Sequence, residues 1–166
     1  MGTSKRVRVL LLVCGERLRR DDGAAPLAAE ALPDEVRALA EIVEVGQLRV
    51  EDLLEVPDSR AVVVADAAVG VAPGEVVTLP LADLAAAAGR GGPAPASSHS
   101  IAPDQVLALA AELRGGELPG LFVGLGGADF GLGEGLSAPV ADALPRFTSA
   151  IAAAIRSQAH TGKTPT

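Results

Sequence analysis

The chain has 166 residues, a length that suits one domain with a sizeable core. Hydrophobic residues make up 49% of it, which excludes global disorder, and a net charge of −7 disfavours phosphate backbones and anionic membranes as partners. Aromatics are only 2%, with no Trp and no Tyr, so the core must be Leu, Val, Ile and Ala, and base stacking is hardly available.

Lys5, Arg6 and Arg8 precede the apolar run Val9 to Cys14. That run is too short for a signal-peptide core and is followed by the charged GERLRRDD. Val13 before Cys14 argues against a lipoprotein site, and Arg6 stands where a myristoylation motif wants Ser or Thr. No stretch approaches the roughly 18 apolar residues of a membrane span. The single cysteine, Cys14, makes no internal disulfide. A cytoplasmic location is the expectation.

Val7 to Cys14 reads as a buried strand ended by Gly15. Ala24 to Leu32 reads as a helix that Pro33 interrupts, followed by a helical turn at Asp34 to Leu39. Ile42 to Val45 is a short strand, Val50 to Leu54 a short helix, and Ala61 to Ala65 (AVVVA) a central strand. After a Pro73-Gly74 turn, Glu75 to Leu79 is another strand. Leu81 to Ala88 is an Ala-rich helix, and Gly89 to Ala96 (GRGGPAPA) a loop. Ala102 to Arg114 has helical periodicity, with Val106, Leu107, Ala110 and Leu113 on one face and Gly115-Gly116 as its stop. Leu121 to Leu125 is the last strand. Ser137 is placed to cap a final helix running to about Ser157, which Pro145 would kink or split. Residues 1–157 form one domain in this reading, and 158–166 a disordered tail.

Apolar strands alternating with helices predict a mostly parallel sheet covered on both faces, with ligands beyond the carboxyl ends of its strands. Three polar positions stand there. The first is GERLRRDDG (Gly15 to Gly23), with adjacent carboxylates Asp21 and Asp22. The second is Asp66, directly after AVVVA. The third is His99, in SSHS. Each has an ordinary structural reading. An Asp-Asp-Gly run is commonly a solvated turn or helix cap, an Asp ending a strand often caps the next segment, and a loop histidine is seldom a ligand. Together, two carboxylates and one imidazole make a mixed O,O,N site with open positions that suits nickel or zinc. The same set can activate water for amide hydrolysis.

Other motifs carry less. GLGGADFGLGEG (Gly124 to Gly135) breaks the dinucleotide pattern at Asp129 and stands late in the domain; a substrate-contacting loop or plain connector fits it better. Gly162-Lys163-Thr164 lacks the first P-loop glycine and a preceding strand. Cys14 reads as a small buried hydrophobe. Arg17, Arg19 and Arg20 form a basic cluster, either solvated or facing the acidic groups of a partner.

Four segments in order resemble the hydrogenase maturation protease family across nearly the whole chain. GERLRRDDG resembles its GNxLxxDDG signature, and VVVADAAVGVAPGEVVTL its strand-Asp-Ala segment with a Pro-Gly turn. SSHSIAPDQVLALAAEL resembles its His loop and helix, and LFVGLGG followed by GEGLSAPVADALP its last strand and helix start. The resemblance implies a three-layer α/β/α sandwich of the phosphorylase/hydrolase-like kind, with a twisted sheet of about five strands. It implies metal-contacting and catalytic roles for Asp22, Asp66 and His99. The implied substrate is the precursor of a hydrogenase large subunit, whose own inserted nickel is the recognition signal for releasing a C-terminal peptide. Asp21 and Glu16 are candidates for the surrounding shell. The chain departs from the family pattern at Glu16, where Asn is usual, at Ala25, where Gly is often found, and at Cys14. A non-catalytic maturation factor that binds the nickel-loaded subunit is the alternative, which Glu16 motivates. An unrelated α/β metal amidohydrolase comes third. A monomer is the default expectation.

Overall fold

The computed structural model describes residues 8–88 and 102–161. Its strands are β1 (Val9–Cys14), β2 (Ala40–Gly46), β3 (Val62–Ala68), β4 (Val76–Pro80) and β5 (Gly120–Gly126). Its helices are α1 (Ala24–Glu30), α2 (Asp34–Arg37), α3 (Glu51–Leu54), α4 (Leu81–Ala87), α5 (Pro103–Arg114) and α6 (Ala138–Thr161). The strands form one sheet in the order β2-β1-β3-β5-β4. Neighbours pair in parallel except β4, which runs antiparallel to β5 at the edge.

The apolar strands explain the three layers. Successive side chains of a strand point to opposite faces. Val9, Leu11 and Val13 of β1, with Val63, Ala65, Val123 and Leu125, join a core with Ala24, Ala28, Val140, Phe147, Ile151 and Ile155 of α1 and α6. Leu10, Leu12 and Cys14, with Val62, Val64 and Phe122, join a second core with Leu53, Leu81, Val106 and Leu107 of α3, α4 and α5. The sheet is therefore mostly parallel, five-stranded and covered on both faces.

Several boundaries differ from the sequence reading. β3 continues to Ala68, so Asp66 lies within the strand, paired with Gly124, because β5 supplies partners as far as Gly126. Leu113 of α5 is exposed; Arg114 turns inward instead and donates to the carbonyls of Leu53 and Val56 at 2.9 and 2.6 Å. The helix α6 is unbroken at Pro145 and continues to Thr161, beyond the expected end near Ser157. Its last turn is held by Ala159 against the core and by a 2.7 Å hydrogen bond between His160 Nδ1 and the Arg156 carbonyl. Residues 158–161 are thus helical, and 162–166 lie outside the described residues, as does the Gly89 to Ala96 loop. Among the described residues no helix is long and apolar enough to cross a membrane.

Candidate functional site

β1 and β3 are adjacent and parallel, so the segments that follow them emerge side by side. After β1 the chain turns at Gly15 with φ of +120°. A Cβ there would stand 1.9 Å from the Asp22 carbonyl oxygen, so only glycine lets the segment fold back so tightly. The returning chain forms a short 3-10 turn at Arg20–Gly23 that carries both acidic residues. The Glu16 amide donates to Asp22 Oδ2 at 2.7 Å.

Asp22 and Asp66 meet at this edge. Burial pushes the Asp66 carboxyl up to about 8, and the negative charge of Asp22 adds to the rise, against a lowering hydrogen bond from the Ala67 amide. Burial also raises Asp22, opposed by the Glu16 amide and the Arg19 charge. Asp22 ionises first, and Asp66 must then lose its proton beside an existing charge. Asp66, the more deeply buried of the two, therefore holds its proton more tightly than Asp22. Cys14, at the end of β1, is buried, and its thiol is raised well above its ordinary value by burial and then by Asp66 and Asp22. It is an inert apolar neighbour of the site.

His99 lies outside the described residues. Among the described residues no group of three or more His, Cys, Asp or Glu side chains is arranged to hold a metal ion. Asp22 and Asp66 are two oxygen donors on one edge, chemically suited to a borderline divalent cation that a third ligand would complete.

Asp21 has a role that its sequence does not signal. It is fully buried and neither solvated nor a helix cap. Its carboxylate accepts the amides of Ala128, Asp129 and Ser137 and the Ser137 hydroxyl, at 2.8, 2.8, 2.7 and 2.8 Å. Burial alone would raise this carboxyl, but the hydrogen bonds from Ser137, Ala128 and Asp129 outweigh it and hold it below its usual range. Ser137 therefore gives its hydroxyl to Asp21, not to the start of α6. Its partners lie more than 100 residues away, so no local pattern could have disclosed the clamp. Two further backbone bonds, Arg20 N to Gly133 O at 3.1 Å and Gly133 N to Leu18 O at 2.8 Å, join the 16–23 segment to the 127–137 loop after β5.

The basic cluster divides. Arg17 bridges Glu30 and Glu44 at 2.7 and 2.8 Å, and Arg20 approaches Asp129 at 3.5 Å. Arg19 has no ion pair among the described residues, though its charge favours ionised Asp22. Glu16 is exposed; its carboxylate lies against Gly46 and raises Asp22.

No family model and no curated protein matches the sequence. Solved structures do match the fold. The hydrogenase maturating endopeptidase HybD from E. coli is 23% identical with a TM-score of 0.66, covering 90% of this chain and 93% of that one. The NiFe hydrogenase maturation protease HybD from Thermococcus kodakarensis is 23% identical with a TM-score of 0.62, covering 86% and 95%. The HycI maturation protease from Thermococcus kodakarensis KOD1 is 22% identical with a TM-score of 0.60, covering 92% and 95%. These three likenesses, each covering most of both chains, lead to one result: the chain has the α/β fold of solved hydrogenase maturation endopeptidases.

Proposed function

We propose that this protein is a processing endopeptidase that removes the C-terminal extension of a hydrogenase large-subunit precursor after nickel insertion. The observation that carries the reading is the meeting of Asp22 and Asp66 at the carboxyl edge of a sheet whose fold is shared with maturation endopeptidases. In this reading Asp22, Asp66 and His99 receive the nickel that the precursor carries. The ion is part of the substrate, and it would polarise a peptide carbonyl brought beside it. The chain's contribution is placement. Asp22 is held by the Glu16 amide and offers a ready carboxylate, while Asp66 is protonated until it docks and gives up its proton as it does so. A precursor without nickel leaves two closely spaced acidic groups without a cation, which disfavours its binding.

The test is the intact mass of a cognate precursor, with and without nickel, after incubation with the protein. Loss of a C-terminal peptide from the nickel-loaded form alone is expected. His99→Ala is expected to abolish processing while leaving the circular dichroism spectrum unchanged, and normal processing by that variant would sink the assignment. The exposed Glu16 carboxylate beside Asp22 favours a second reading, a maturation factor that binds but does not cut. Binding of the nickel-loaded precursor without loss of mass would select it.

A further inference from the structure

Among the described residues the four most exposed large apolar side chains are Leu132 at 82%, Leu18 at 63%, Leu113 at 62% and Val69 at 61%. Three of them, all but Leu113, stand on the segments that follow β5, β1 and β3, at the edge that carries Asp22 and Asp66. Arg19 and Gly133 form a parallel bridge and the Gly133 amide bonds to the Leu18 carbonyl, which brings together the segments that carry Leu18 and Leu132. The segments that present them are held fast. Asp21 accepts four hydrogen bonds from residues 128, 129 and 137, and Gly133 is bonded on both sides. A segment anchored by a buried carboxylate thus holds two leucines out in water. That arrangement costs hydration free energy unless something covers it. Arg19 lies between Leu18 and Asp22 in the same segment, and it is the member of the basic cluster without an ion pair among the described residues.

We infer that Leu18 and Leu132 form a docking ridge for the substrate protein, which seats an extended stretch of apolar side chains with a carboxylate alongside to meet Arg19. The inference rests on the processing reading above and adds the chemistry by which the precursor is held next to the site. Continuity selects this occupant: the segment that presents Leu18 is the one that places Asp22, so a peptide brought to Asp22 comes close to the ridge. The Arg19 charge, on a chain of net charge −7, gives that peptide a local attraction that the whole surface does not.

The test compares the whole wild-type protein with Leu18→Ser/Leu132→Ser, Arg19→Gln and Leu113→Ser, using a purified nickel-loaded large-subunit precursor. The readouts are KM and kcat for release of the C-terminal peptide. The double variant is expected to raise KM by roughly tenfold or more with little change in kcat, since two exposed leucines lose their apolar contacts. Arg19→Gln is expected to raise KM at low ionic strength, with the difference closing as salt is added. Leu113→Ser, equally exposed but on α5, is expected to match wild type. A KM within twofold of wild type for the double variant, or a loss confined to kcat, would overturn the ridge while leaving the processing reading standing. A wild-type protein that neither binds nor cuts the nickel-loaded precursor would overturn both.

Discussion

Two adjacent carboxylates, Asp21 and Asp22, are given opposite tasks by what surrounds them. Asp21 sits among donors and is held ionised; removing it as Asp21→Ala would take the shared acceptor from three amides and a hydroxyl in partly buried bonds. A loss of about 2–4 kcal/mol is expected by urea unfolding. Asp66 behaves oppositely. Its proton is bound in the folded state up to about pH 8 and released near 4 in the unfolded chain, so the unfolded state binds fewer protons over that window and stability falls as pH rises through it. Asp66→Asn, which cannot ionise, is therefore expected to melt higher than wild type at pH 8 by at least ~4 °C, with the advantage vanishing toward pH 4. A thermal scan across pH checks this in the free protein. On the processing reading the variant is also expected to lose activity, since a carboxamide is a poorer ligand than a carboxylate for a borderline divalent cation. The Asp21-Asp22 pair and Asp66 stood out in the sequence as acidic positions beyond two apolar runs, and Asp22 was singled out only by the family resemblance. The different fates of Asp21 and Asp22 were not readable there, because they depend on a loop that returns from the far end of the chain.

At the scale of elements, the sequence pattern located the five strands and six α-helices of the described residues but not the 3-10 turn at Arg20–Gly23, and the misreadings have physical causes. Leu113 fits the apolar face of α5 by spacing, yet the buried stripe ends at Ala110 and the Arg114 side chain fills the remaining space by bonding to carbonyls near the end of α3. The helix α6 tolerates Pro145 because its flanking turns bury Val140, Ala143, Phe147 and Ile151, and this packing outweighs one missing hydrogen bond. Pro145→Ala would restore an amide facing the Ala141 carbonyl. It is expected to stabilise the protein by about 1–3 kcal/mol, measured as a higher denaturant midpoint with unchanged slope. The β4 edge was legible as a strand but not as an antiparallel one. Its direction follows from the tight turn through Gly74, whose amide bonds to the Gly126 carbonyl at 2.9 Å.

At the scale of the whole molecule, the carboxyl edge joins pieces from both ends of the sequence. The amides that hold Asp21 lie 107, 108 and 116 residues further along the chain. Contacts of such high sequence separation carry a loop-closure entropy that must be offset before they form, and they tend to form late in folding. A chain still emerging from the ribosome cannot close this edge until Ser137 is free. The folding transition state should then contain the β1–β3 pairing but not the clamp. Mutations at Asp21 are expected to speed unfolding and leave the refolding rate nearly unchanged, a φ-value near zero in stopped-flow measurements. On the processing reading, activity would then wait for a contact that forms after the sheet has been laid down.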